Sequence, residues 1–168
     1  MLTKSYLTDR LIHWISAILL VFMLMNLSTQ LHNINWDIKG QLLHRQDAVE
    51  AHAEVGLLLI ALTIARLLFT WLNKAKLKRM APRSKKHALM IKGTHTALYV
   101  CLIGLAITGL AMINHYEIPL TVLGVELPPE IVAFYDFFPK VHQIHMLLKQ
   151  AIWWLLGIHI VGVVMARR

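Results

Sequence analysis

Four stretches of this chain are each as long and as apolar as a helix must be to cross a bilayer, and together they leave room for little else. A span needs roughly 20 predominantly apolar residues to bridge about 30 Å of hydrocarbon. The sequence supplies them at about 11–31, 52–72, 94–114 and 145–165. With 57% hydrophobic residues among 168 and a mean hydropathy of +0.57, the chain holds far more apolar length than a soluble domain of its size could hide. The expected fold is an all-α integral membrane protein: one four-transmembrane-helix bundle domain over 1–168, with no second domain.

The formal charge of +8 would suit a nucleic-acid partner, but its distribution argues for topology instead. Lys4 and Arg10 precede the first span, Lys74, Lys76, Lys78, Arg79, Arg83, Lys85, Lys86 and Lys92 fill the second connection, and Arg167 and Arg168 end the chain. The first and third connections carry only Lys39, Arg45 and Lys140 against Asp37, Asp47, Glu50, Glu117, Glu126, Glu130 and Asp136. By the positive-inside rule both termini and the second connection face the cytoplasm. Contact with anionic lipid headgroups is a secondary role for these cations, and no nucleic acid is expected.

The first span follows basic residues, as a signal peptide does. Its apolar stretch is too long for that, and it ends in Asn26, Ser28, Gln30 and His32 without a small-residue cleavage site, so it reads as a retained helix. The third connection, 115–144, is apolar in part but broken by Pro119, Pro128, Pro129 and Pro139, which argues against a fifth span and for an amphipathic cap over the outer end of the bundle.

Histidines are the chemical signal. Of ten in the chain, His13 lies near the start of the first span, His52 and His95 head the second and third, and His145 and His159 share the fourth. His145 and His159 are 14 residues apart, almost four helical turns, so both project from nearly one face about 21 Å apart along the axis. One helix can thus serve two depths. His52 matches His145 at the outer level, and His13 matches His159 at the inner one. His32, His44, His87 and His115 read as solvated loop residues and His142 as interfacial.

Polar groups inside a membrane are costly and usually face the bundle interior. A lone intramembrane histidine is more often a packing residue than a ligand, but two tiers of paired imidazoles suggest two haems. The single cysteine, Cys101, is mid-span and no C-x-x-C-H occurs, so thioether attachment is excluded and b-type haem is indicated. Two imidazoles on one iron leave no position for dioxygen and suit electron transfer. His95 has three readings: a propionate donor, a quinone contact, or the axial ligand in place of His13. Arg66, 14 residues after His52, offers a forked donor set to an inner propionate, and Lys149, one turn below His145, to an outer one. Either cation can also snorkel to headgroups. Gly56, Gly104, Gly109, Gly157 and Gly162 would admit a flat macrocycle, although small residues are common at any membrane helix interface.

The run Arg10-Leu-Ile-His13-Trp14, His52-x-x-x-Gly56 leading to Arg66-Leu-Leu, His95-x-x-x-Tyr99, and His145 spaced to Gly157-Ile-His159 resembles the bacterial cytochrome b561 family. That family is a branch of the di-haem membrane cytochromes b that include hydrogenase and formate dehydrogenase subunits. The resemblance covers essentially the full length. It implies four helices, two haem b groups per chain, axial ligands at His13, His52, His145 and His159, and electron exchange with membrane quinone, ubiquinone being the expected acceptor.

The expected function is transfer of electrons across the bacterial inner membrane between a periplasmic donor and the quinone pool. Some members of the family oxidise superoxide at the outer face. Here the outer connections carry three basic against seven acidic side chains, which disfavours attraction of an anion unless Lys39, Arg45, Lys140 and Lys149 cluster. The alternatives are a haem-bearing anchor subunit of a partner dehydrogenase and a His-lined metal or proton transporter. The transporter reading is disfavoured because the cysteine and acidic residues are not placed where an ion path through the spans would need them.

Overall fold

The computed structural model describes residues 3–27, 41–73 and 84–167. Thr3 is extended (φ −72°, ψ 148°) and its hydroxyl accepts from the Tyr6 amide at 3.3 Å, which starts α1 (Lys4–Phe22) by satisfying one of the amides that a first helical turn leaves unpaired. A π-helical turn, Met23–Leu27, follows directly. Helix α2 is Gln41–Leu72, and α3 is Lys85–Ile113, capped by Ser84, whose hydroxyl accepts from the His87 amide at 3.1 Å. Strands β1 (Leu120–Val122) and β2 (Val125–Leu127) form an antiparallel hairpin, and α4 is Ile131–Arg167.

All four helices are long and apolar enough to cross a membrane. A spanning helix satisfies its backbone internally, so its side chains are free to face lipid. Trp14, Trp71 and Trp154 are accordingly exposed, as are Ile18, Val100, Ile107 and Val161. Side chains from the start of α1 and α3 meet those from the end of α2 and α4 at one level, so successive helices alternate in direction. The bundle has a terminal end and a hairpin end.

The helices run past the apolar segments that reveal them. Relative to the expected 52–72 and 145–165, α2 begins at Gln41 and α4 at Ile131, while α3 begins at Lys85 rather than 94. Hydropathy marks what prefers hydrocarbon, whereas a helix continues until its backbone hydrogen bonds are capped or broken. Helix α1 likewise starts at Lys4 rather than 11, and residues 28–31 of the expected first span lie outside the described residues. So do His32, Trp36, Asp37, Lys39, Lys74, Lys76, Lys78, Arg79, Pro82, Arg83 and Arg168.

The third connection is corrected in detail. Pro139 does not break the chain but sits inside α4, and a β-hairpin forms the cap between α3 and α4. The hairpin turn, Leu123-Gly124, has φ of 51° and 78°, the doubly left-handed geometry that matches the twist of two antiparallel strands. Two carboxylates one helical turn apart on α2 grip its first strand: Thr121 N–H donates to Glu50 at 2.6 Å and Leu123 N–H to Glu54 at 3.0 Å. Behind it, Val49, Tyr116, Ile118, Leu120 and Val122 form a small apolar core against which Phe134 and Phe138 of α4 pack.

Two further expectations change. His44 and His87 are helical rather than in loops, and His115 is paired to Glu130 at 2.6 Å. The spans also carry acid: Asp9 lies in α1 and Glu54 in α2. Asp9 falls just outside the most apolar part of its helix, where a hydropathy reading sees a flank rather than a span.

Candidate functional site

Five helix-borne histidines gather into two tiers. At the hairpin end, His52 of α2 and His145 of α4 face each other with ring centroids 6.3 Å apart and planes at 64°. At the terminal end, His13 of α1 and His159 of α4 are also 6.3 Å apart, at 75°. Helix α4 is unbroken from one tier to the other, which keeps them about 21 Å apart along its axis. His95 of α3 joins the terminal tier edge-on to His159, at 4.9 Å and 89°.

The three rings differ in their hydrogen bonds. The Nδ1 of His95 lies 2.7 Å from the Ile91 carbonyl, and a carbonyl only accepts, so Nδ1 carries the proton and Nε2 the lone pair. The Nδ1 of His145 meets the hydroxyl of Thr108 at 2.8 Å. His52 Nδ1 is buried and has no hydrogen-bond partner among the described residues.

The charged side chains divide between the tiers. Arg66, expected at the terminal level, is there, with its Nε 3.9 Å from Oδ1 of Asp9, and Arg10 holds the other carboxylate oxygen at 2.9 Å. Asp9 is only 2% exposed, and its Oδ1 and the Nε atoms of Arg10 and Arg66 are buried without hydrogen-bond partners among the described residues. Lys149 stands one turn from His145, within electrostatic reach of His52. Sequence reasoning missed Asp9 and Thr108. Asp9 carried a signal, an acid four residues before an intramembrane histidine, but Thr108 carried none.

The glycines behave differently from one another. A methyl group on Gly104 would come within 2.9 Å of Cδ1 of Leu148, so a larger residue here would require that side chain to shift. Gly109 borders the His145 ring, with 3.8 Å from its would-be Cβ to Cε1, and Gly157 has open space before it. Arg45, counted above as a charge of the outer connection, is 5% exposed: its Nε donates to the Tyr116 hydroxyl at 3.2 Å and its guanidinium pairs with Glu117.

These pairs fit an iron porphyrin. An iron between two imidazoles stands about 2 Å from each bonded nitrogen, and each ring centroid lies about 1 Å further back, so axial partners face each other with centroids about 6 Å apart. Both cross-helix pairs have that spacing. Among the described residues no cluster of three or more His, Cys, Asp or Glu could hold a metal ion by itself, whereas two protein donors suffice when a macrocycle supplies the other four.

Residues 7–168 match the sequence model of the family described as prokaryotic cytochrome b561. The chain belongs to the prokaryotic cytochrome b561 family. It is a b-type membrane cytochrome that binds haem b and works in electron transfer, with several passes through the inner membrane. Comparisons with curated proteins and with solved structures returned no match. Family membership sets the metal and transporter alternatives aside, since the histidine tiers belong to a haem protein.

Proposed function

We propose that this cytochrome b561 holds two haem b groups, one in each histidine tier, and carries electrons across the inner membrane between a periplasmic donor and ubiquinone, with both termini in the cytoplasm. The observation that carries this reading is the equal 6.3 Å separation of His52 from His145 and of His13 from His159. Haem b, when bound, would supply reversible one-electron chemistry.

The protein's own part is ligation, orientation and charge. His52 and His145 hold the hairpin-end group from α2 and α4, and His13 and His159 the terminal one from α1 and α4. His95 stands too close to His159, at 4.9 Å, to be its partner across an iron, which supports His13 as the axial residue and leaves His95 to a propionate or a quinone. Arg66 presents donors to a terminal-tier propionate while Asp9 balances its charge, and Lys149 does the same work for the hairpin tier. Asp9, Arg10 and Arg66 also bring buried donors and an acceptor to the end where quinone would dock.

The superoxide reading loses support from Arg45. Its guanidinium is buried in the cap and neutralised by Glu117, so it lends no attractive field to the hairpin surface. A reduced periplasmic carrier or a dehydrogenase subunit is the better-supported donor.

The purified protein should contain two reducible low-spin haems per chain, and the chemically reduced form should be reoxidised by a short-chain ubiquinone without a partner. One haem per chain would overturn the two-tier reading. Reoxidation only in a co-purified complex would make the chain an anchor subunit instead.

A further inference from the structure

We infer that Thr108 is the positioning residue for the hairpin-tier axial ligand, fixing both the tautomer and the ring orientation of His145 from the neighbouring helix. The inference rests on the axial role proposed for His145. Thr108 lies near the end of α3, and its hydroxyl oxygen is 2.8 Å from Nδ1 of His145 on α4, 37 residues away in sequence.

The direction of that bond follows from the other contacts of the hydroxyl. Its oxygen is 2.8 Å from the Gly104 carbonyl and 3.1 Å from that of Leu105, and carbonyls only accept. The one hydroxyl proton is therefore engaged within α3, and the oxygen offers its lone pair outward. It accepts the Nδ1 proton of His145, which places the ring lone pair on Nε2. A metal-bound imidazole whose second nitrogen donates to a fixed acceptor is held in one rotation and becomes a stronger base toward the metal.

The hairpin tier depends on this bond because its other ring lacks an equivalent. His52 Nδ1 is buried with no partner among the described residues. Gly109, next to Thr108, also borders the imidazole: a Cβ there would stand 3.8 Å from Cε1 of His145, in ordinary van der Waals contact. Thr108 thus seats His145 by fixing the proton on Nδ1.

The test compares the haem-loaded wild-type protein with Thr108→Val, which keeps the shape and loses the acceptor, and Thr108→Ser, which restores it. We expect Thr108→Val to bind the hairpin-tier haem about 10- to 100-fold more weakly, read as loss of one haem to an excess of apomyoglobin. The haem that remains in that tier should have a higher midpoint potential and a changed low-spin electron paramagnetic resonance signal, because a less basic imidazole stabilises ferric iron less. The terminal-tier haem should be unchanged, and Thr108→Ser should recover wild-type values. Equal disturbance of both haems, or no change in retention, potential and spectrum, would overturn the inference, as would failure of Thr108→Ser to restore them. His145→Ala serves as the control. If it loses one haem while Thr108→Val has no effect, only the role of Thr108 is lost; if it keeps both, the axial assignment itself falls.

Discussion

His52 and His145 approach each other across α2 and α4 at the same 6.3 Å that separates His13 from His159 across α1 and α4. Two pairs from different helices and different depths share the spacing that an iron between them would require. Helix α4 supplies one member of each, so the distance between the tiers is set by the rise of one helix and not by loop geometry.

His52→Ala and His145→Ala should each remove the same haem, and His13→Ala and His159→Ala the other, so each variant keeps about half of the wild-type haem. His95→Ala should retain both. Pyridine haemochrome content per chain measures this, and loss of a haem from His95→Ala with retention in His13→Ala would reverse the terminal-tier assignment.

Asp9 is a buried carboxylate between two guanidiniums, and removing it leaves Arg66 with an uncompensated charge in a low-dielectric setting. Asp9→Ala should destabilise the bundle by about 3 kcal/mol, and Asp9→Asn by less, because its amide oxygen still accepts from Arg10. Detergent-exchange unfolding followed by circular dichroism gives both values. Equal stability of Asp9→Ala and wild type would mean that the arginines do not rely on this carboxylate.

Leu123 adopts φ 51°, a left-handed conformation in which its Cβ crowds the following carbonyl, and Gly124 follows at φ 78°. Leu123→Gly should relieve about 1 kcal/mol of this strain, and Gly124→Ala should add about the same. The midpoint of thermal unfolding should move up in the first variant and down in the second, and proteolysis at the cap should follow the same order.

Tyr116 is buried in the cap, and burial raises its phenol above the usual value of 10, with Arg45 pulling partly the other way. The folded chain therefore holds this proton more tightly than the unfolded one. Its contribution to stability is fully present below pH 10 and is lost as pH rises from there through the higher folded value. Tyr116→Phe should flatten that part of the alkaline stability curve, and an ultraviolet titration that ionises every tyrosine at pH 10 in the folded protein would contradict the assignment.

Much of this protein could be read from residues in a row. Apolar length alone located four spans, and the 14-residue interval from His145 to His159 placed two functional groups on one face of one helix, because helical periodicity is a local property. The same rule put Arg66 at the level of the terminal tier. Helix ends were less legible: α2 starts at Gln41, in a polar stretch that no transfer scale marks as membrane, yet it builds the surface that holds the hairpin. Pro139 looked like a break, but the missing amide of one residue does not outweigh the packing of a 37-residue helix.

The sequence by itself determined that the chain enters lipid, how often it crosses, and that imidazoles recur at two depths, since hydrophobicity and helical rise act on neighbouring residues. Only the tertiary structure decided that His13 rather than His95 faces His159 at the wider spacing, that Asp9 lies against Arg66, and that Thr108 meets the His145 ring. Each of these is a contact between helices, fixed by how they rotate and pack, and no local pattern encodes that rotation.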